Sequence, residues 1–339
     1  MISDRLRRSL SSELRRSFLA KLGIALVAFV LLAATFAPIL APHDPTDTNP
    51  GDANLPPLGF STTENQTTNQ MTDDGDIEIV QERVQIDATV SHPLGTDPVG
   101  RDVLSRVLFG ARTSLLVGLF GTALAVGFGV TVGLVAGYYG GRLDDGLMRA
   151  ADVMLAFPSL VLAIALIGLW GQQAVPIPDP FHWLGITPEM PADTVLPGTV
   201  IVVVALVNWV WFARVARGEA LSVRNEEYVK AARSLGATDR TILLKHVLPN
   251  SVTPILVLAT IQVAAIILLE SALSFLGFSG ANLSWGIDIA QGRNYLSSAW
   301  WVATVPGVGI VVAVVGVNLI GDWLRDALDP GIDQGEGGV

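Results

Sequence analysis

Long uncharged stretches alternate along the chain with shorter polar connections, and the stretches have the length of bilayer spans. A hydrocarbon core ~30 Å thick takes about 20 helical residues to cross. Six stretches meet that length: 22–40, 113–141, 153–171, 194–213, 247–269 and 294–321. The third shares its start with Arg149 and Asp152. The pattern predicts an all-α polytopic membrane protein with six transmembrane helices. Stretch 22–40 is longer than the apolar region of a signal peptide, and no small-residue cleavage site follows it, so it reads as an uncleaved first span.

Lysine and arginine placement orients the spans. With the first 21 residues, the connections after the second and fourth spans and the tail on one side, that side holds 16 of the 21 basic residues. The prediction is a multi-pass protein of the cell membrane with both termini cytoplasmic. It divides into an N-terminal segment with the first span (1–45), an extracytoplasmic loop with an interfacial helix (46–112), a membrane core (113–325) with a cytoplasmic loop at 214–249, and a cytoplasmic tail (326–339). Within the outer connection, residues 44–87 are rich in Asp, Asn, Thr, Gly and Pro and read as a mobile or loosely folded loop. Asp97, Arg101, Asp102 and Arg106 alternate in sign at helical spacing, which predicts an interfacial helix laced by ion pairs.

Composition supports the membrane reading. Half of the residues are hydrophobic and 15% are charged, with mean hydropathy +0.51, whereas soluble domains carry about 25% charged residues. No cysteine is present, which excludes disulfides and thiolate chemistry. The four histidines (His43, His92, His182, His246) form no HxxxH or HExxH pair, so no metal site is predicted. A net charge of −10 argues against nucleic acid as a partner. No GxxxxGK[ST] loop occurs, so ATP, if it drives this protein, is handled by another subunit. No catalytic residue and no cofactor is assigned.

The connection after the fourth span carries the most information. Asn225 is predicted to cap a helix from Glu226, with Glu226 and Glu227 at its positive end. Tyr228, Ala231, Ala232 and Leu235 recur at i, i+3, i+4 and i+7 and form one apolar stripe. Gly236 supplies the stop, and Thr238 caps a second helix from Asp239 into Pro249. Two readings fit this helix–glycine–helix unit: an amphipathic hairpin on lipid headgroups, or a docking element whose narrow, alanine-centred stripe enters a partner's groove.

The segment KAARSLGATDRTILLKHVLP (230–249) resembles the EAA loop of binding-protein-dependent ABC importer permeases, in which EAA is followed by three residues, Gly, nine residues and I-x-L-P. Ala231, Ala232, Gly236, Leu248 and Pro249 match; Lys230 stands in place of Glu and His246 in place of Ile. Glu227, three residues upstream, offers an alternative acidic group. HPLGTDPVGRDVLSRVLFGARTSL (92–115), the stretch 138–158, ESALSFLGF (270–278) and GDWLRDALDP (321–330) extend the resemblance to the C-type permease of the dipeptide, oligopeptide and nickel subfamily. The resemblance spans nearly the whole chain except 44–90 and 172–193. It implies a type I (MetI-like) permease fold and ATP-driven import of peptides. It also implies a heterodimer with a second permease, two cytoplasmic ATPase subunits and an extracytoplasmic solute-binding protein. The residues it places in the ATPase-coupling loop are Glu227, Tyr228, Ala231, Ala232, Leu235, Gly236, Ala237, Asp239 and Pro249. The alternatives are import of nickel or another small solute, and an intramembrane hydrolase, for which the spans offer no partnered histidine or aspartate.

Three further features carry expectations. Gly118, Gly121, Gly127, Gly129, Gly133 and Gly137 crowd the second span and predict close helix contact. Glu270, inside an apolar run, either lines the translocation pathway or caps a broken helix at the outer interface. Arg142, Asp144, Asp145 and Arg149 read as solvated loop pairs. The topology is directly testable in this cysteine-free chain: single cysteines at Thr72 and Ser234 are expected to react with an impermeant thiol reagent from opposite sides. Labelling of both from outside contradicts the assignment.

Overall fold

The computed structural model describes residues 14, 17–71 and 77–328. The basic N-terminal cluster, Thr72 and the tail beyond Leu328 lie outside the described residues. Among the described residues, five helices are long and apolar enough to cross a bilayer, and a bent helix pair makes a sixth candidate. The helices that build the bundle and its loop are α1 (Phe18–Thr35), α2 (Val103–Tyr139), α3 (Gly141–Leu155), α4 (Ser159–Trp170), α5 (Gly198–Val223), α6 (Glu227–Ser234), α7 (Asp239–Ile242), α8 (Leu248–Phe275), α9 (Trp285–Gly292) and α10 (Trp301–Leu328); two further single-turn helices lie at Ala37–Leu40 and Pro180–Trp183. Two antiparallel hairpins interrupt the all-helical expectation: β1 (Ser61–Met71) with β2 (Ile77–Asp87), and β3 (Val175–Pro178) with β4 (Asp193–Leu196).

Several boundaries differ from the hydropathy pattern, each for a physical reason. Helix α2 has 37 residues, about 55 Å at 1.5 Å per residue, and so exceeds the hydrocarbon core. It starts at Val103, where the Asp102 carboxylate accepts from the Ser105 N–H at 2.7 Å. The predicted interfacial helix is therefore a loop and the first turns of α2. Asp97 pairs with Arg101, Asp102 is the cap, and Arg106 makes a buried pair with Asp288 of α9. The division between 46–112 and 113–325 falls inside this one helix. The predicted third span is broken: α3 and α4 meet at 94° around Pro158, which has no N–H to donate and disfavours helical geometry at Phe157. The last span starts at Trp301 rather than 294, after a short 3₁₀ turn. Part of 44–87, expected to be loose, forms the β1–β2 hairpin, with Ser61 opposite Asp87 and Met71 opposite Ile77. Of the charges after α2, Arg142, Asp145 and Arg149 are exposed, though on α3 rather than in a loop, whereas Asp144 is buried and held by Arg217 through bonds of 2.5 and 2.7 Å.

The bundle is organised by contact between α2 and α5. A Cβ added at Gly129, Gly133 or Gly137 would lie less than 3.0 Å from the backbone of Trp209, Ala213 or Arg217, respectively. The pairing advances four residues on each helix, so the helices run parallel with an i±4 ridge of small residues at the seam. Gly118 and Gly121 are filled in the same way by Ile267 and Val204. Gly127 is the exception among the predicted contact glycines, with nothing within 4 Å. On the far side of the bundle, Gly23 of α1 and Gly316 of α10 admit Leu319 and Leu26.

Gly133→Val is expected to lower the thermal midpoint of the detergent-purified protein, because overpacking a rigid seam costs about 1–3 kcal/mol. Gly127→Ala, which meets nothing within 4 Å, should not lower that midpoint. Equal midpoints for the two variants would contradict the packing account.

Candidate functional site

At the end of the bundle away from the β1–β2 hairpin, α6 and α7 stand between α5 and α8. Asn225 does not cap α6 as expected; its amide donates to the Leu221 carbonyl at 3.0 Å, and Glu226 takes the cap position without a side-chain bond. Gly236, with φ +84°, ends the helix. Its N–H donates to the Arg233 carbonyl at 3.0 Å, and the Ala237 N–H to the Ala232 carbonyl at 3.1 Å, a closure that requires the left-handed backbone glycine adopts freely. Thr238 caps α7, accepting from the Thr241 N–H at 3.4 Å. Leu243–Val247 forms a π-helical turn before α8. Pro249 accounts for it, since its ring crowds the carbonyl four residues earlier and it lacks the N–H to bond it.

The predicted stripe faces away from the rest of the chain. Leu235 is 89% exposed and Tyr228 44%; Glu227, Ala231, Gly236, Asp239 and Pro249 are exposed, and Ala232 and Ala237 are half-buried. The inward-facing residue is Val229, fully buried in a cluster with Leu134, Tyr138, Phe212, Ile242 and Val247. Val229 lies off the predicted stripe, between Tyr228 and Lys230, so helical periodicity gave no signal of its burial. Tyr228 accepts from the Asn250 amide at 3.1 Å and lies 5.8 Å from the His246 ring. The site therefore has an anchored back and an apolar front that the described residues leave largely uncovered.

Tyr138 and Arg233 also belong to this region and were not singled out. The Tyr138 hydroxyl donates to Asp239 at 2.6 Å and accepts from Arg233 at 3.0 Å. That hydrogen bond holds the Arg233 pKa above its usual value.

Glu270 does not cap a helix end, since its helix continues to Phe275. It lies within α8, 1% exposed, and receives hydrogen bonds from Ser114 at 2.8 Å and Ser274 at 2.6 Å. At the hairpin end, the structure brings together two histidines that the sequence separates. The His43 and His92 rings stack at 4.4 Å with 24° between their planes, and His92 shares a hydrogen with Asp102 at 3.0 Å. Donor atoms of these three residues lie within 4.8 Å of one another. Two nearly parallel rings keep their in-plane lone pairs from converging at the ~2.0–2.1 Å of a zinc–histidine bond, so this arrangement is not a shared metal site.

Residues 129–334 match the family model described as binding-protein-dependent transport system inner membrane component, and residues 8–57 match that of the N-terminal TM domain of oligopeptide transport permease C. The chain belongs to the binding-protein-dependent transport permease family. It is 34% identical to the dipeptide transport system permease protein DppC of Alkalihalophilus pseudofirmus, over 94% of this chain and 88% of that one. The di/tripeptide transport system permease protein DppC of Pseudomonas aeruginosa is 33% identical over 91% and 86%. The glutathione transport system permease protein GsiD of Pectobacterium atrosepticum is 38% identical over 71% and 73%. In fold, the chain resembles the inward-facing MetNI methionine ABC transporter, with a TM-score of 0.50 at 17% identity, over 65% of this chain and 95% of that one. The permease is thus a multi-pass membrane protein with the type I ABC importer fold. Its family consists of transporter subunits that are not themselves enzymes and that function with other subunits, ATP hydrolysis residing in a separate one.

Gly236→Ala is expected to cost about 1 kcal/mol locally, the penalty for a side chain in the left-handed region. Amide exchange of α6 should accelerate while that of α2 does not. Unchanged exchange at α6 would show that the glycine closure does not hold the helix.

Proposed function

We propose that this permease forms half of the translocation pathway of an ATP-driven importer of short peptides, and that its 214–249 loop is the element docked by an ATPase subunit. The exposed face of Tyr228, Ala231 and Leu235 beside the buried anchor Val229 supports this reading. A hairpin lying on lipid would gain from a broad apolar face, whereas this face is narrow and centred on small residues, as close insertion into a protein groove requires. Peptide as the cargo class rests on the names of relatives that match over most of their length.

In this reading, residues 113–325 and the outer extension of α2 make the permease core. The partners are a second permease, two ATPase subunits and an extracytoplasmic binding protein. Both termini and the loop face the cytoplasm, as the basic residues direct. Nucleotide state biases the bundle only to the extent that the docked loop binds differently in the two states. Glu270, buried and hydrogen-bonded by Ser114, Ser271 and Ser274, serves as a polar tie between α2 and α8 rather than as a pathway-lining group.

Ala232→Glu tests the docking. It sets a charge at the edge of the stripe, and an unpaired buried charge costs about 3–5 kcal/mol. The variant is expected to reach the membrane at normal levels, lose co-purification of the ATPase subunits and lose dipeptide uptake. Full ATPase association and full uptake would refute docking through this face.

A further inference from the structure

We propose that Tyr138 is a positioning residue that ties the α6–α7 loop to α2, so that displacement of the loop by a docked subunit is carried into the glycine-seamed helix pair through one phenol. The inference rests on the docking reading above and adds to it the point of transmission. Tyr138 is the penultimate residue of α2, separated by Tyr139 from Gly140 and Gly141, whose φ values of +67° and +59° end the helix. Its ring is buried among Leu134, Val229 and Ile242. Its hydroxyl uses both of its capacities. It donates to Asp239, the first residue of α7, and accepts from Arg233 in the last turn of α6. The Arg233 guanidinium also lies over the ring, 5.5 Å from its centre.

The two partners flank Gly236, the backbone joint of the loop. One side chain of α2 therefore holds both arms of that joint. No short stretch of chain does so, since Asp239 is 101 residues from Tyr138 in sequence. A second contact fixes the direction: Arg224, at the end of α5, donates to the Gly137 and Tyr138 carbonyls at 2.8 and 3.3 Å. The end of α2 is thus bound to α5 through its backbone and to the loop through its phenol. Loop movement reaches α2 and α5 together.

The test uses the cysteine-free chain in the assembled complex with cysteine-free partner subunits, in lipid nanodiscs. Spin labels at Phe29→Cys on α1 and Phe128→Cys on α2 report the position of α2 without nucleotide and with ATP and vanadate. The unsubstituted complex is expected to show a nucleotide-driven change in distance. Tyr138→Phe, which keeps the ring and removes the hydroxyl, should retain the ATPase subunits and cut that change to less than half. Asp239→Ala should also cut that change, and Asp239→Asn, which still accepts from the hydroxyl, should preserve it. A full change in Tyr138→Phe overturns the proposal, as does loss of the ATPase subunits from that variant, since the phenol would then shape the docking face. No change in the unsubstituted complex overturns the docking reading itself, and this inference with it.

Discussion

The backbones of α2 and α5 touch because small residues recur every fourth position along α2, at Gly121, Ala125, Gly129, Gly133 and Gly137. In a bilayer, burying apolar side chains between helices gains little over leaving them in lipid, so association depends on how closely the helices pack. A glycine ridge allows dispersion contacts between main chains along several turns. It also fixes register, since sliding by one residue would drive side chains into carbonyl groups. The rest of the bundle is arranged around this pair. Val117 and Val204 share one cluster with Ile266 of α8 near the hairpin end, and Leu134 and Phe212 share another with the loop.

Charges within the bundle are tolerated where each finds a defined partner. Arg112 of α2 donates to the Ala34 and Thr35 carbonyls at 2.6 and 2.9 Å and pairs with Asp179. It thereby satisfies the carbonyls that the end of α1 leaves free, where a cation also meets the negative end of the helix dipole. Arg224 serves the end of α2 in the same manner. Arg106 and Asp288 are both buried and bind the start of α2 to α9. Removing one partner of such a pair would leave an uncompensated buried charge, so these pairs fix geometry more than they add stability.

This division explains what was legible in the sequence. Span number, the glycine contact and the helix–Gly236–helix frame were readable because uncharged runs, small-residue spacing and a glycine stop are local signals. The true start of α2 was not, because Arg106 and Arg112 end a hydropathy window although their partners, Asp288 and Asp179, lie far along the chain. The break at Pro158 was missed because apolar residues continue through it. The β1–β2 hairpin was not legible because β1 is almost wholly polar and the apolar residues of β2 change phase between Ile79 and Val80. At the candidate site, the outward stripe followed from periodicity, whereas Tyr138 and Val229 gain their roles only from contacts with distant segments.

The account makes the α2–α5 pair a rigid body that receives motion at its loop end. Structures of the assembled importer without nucleotide and trapped with ATP and vanadate test that claim most directly. The account predicts that Gly129, Gly133 and Gly137 stay seated on Trp209, Ala213 and Arg217 in both states while the pair shifts against α1. A seam that opens, or slips by a helical turn, between the two states would contradict it.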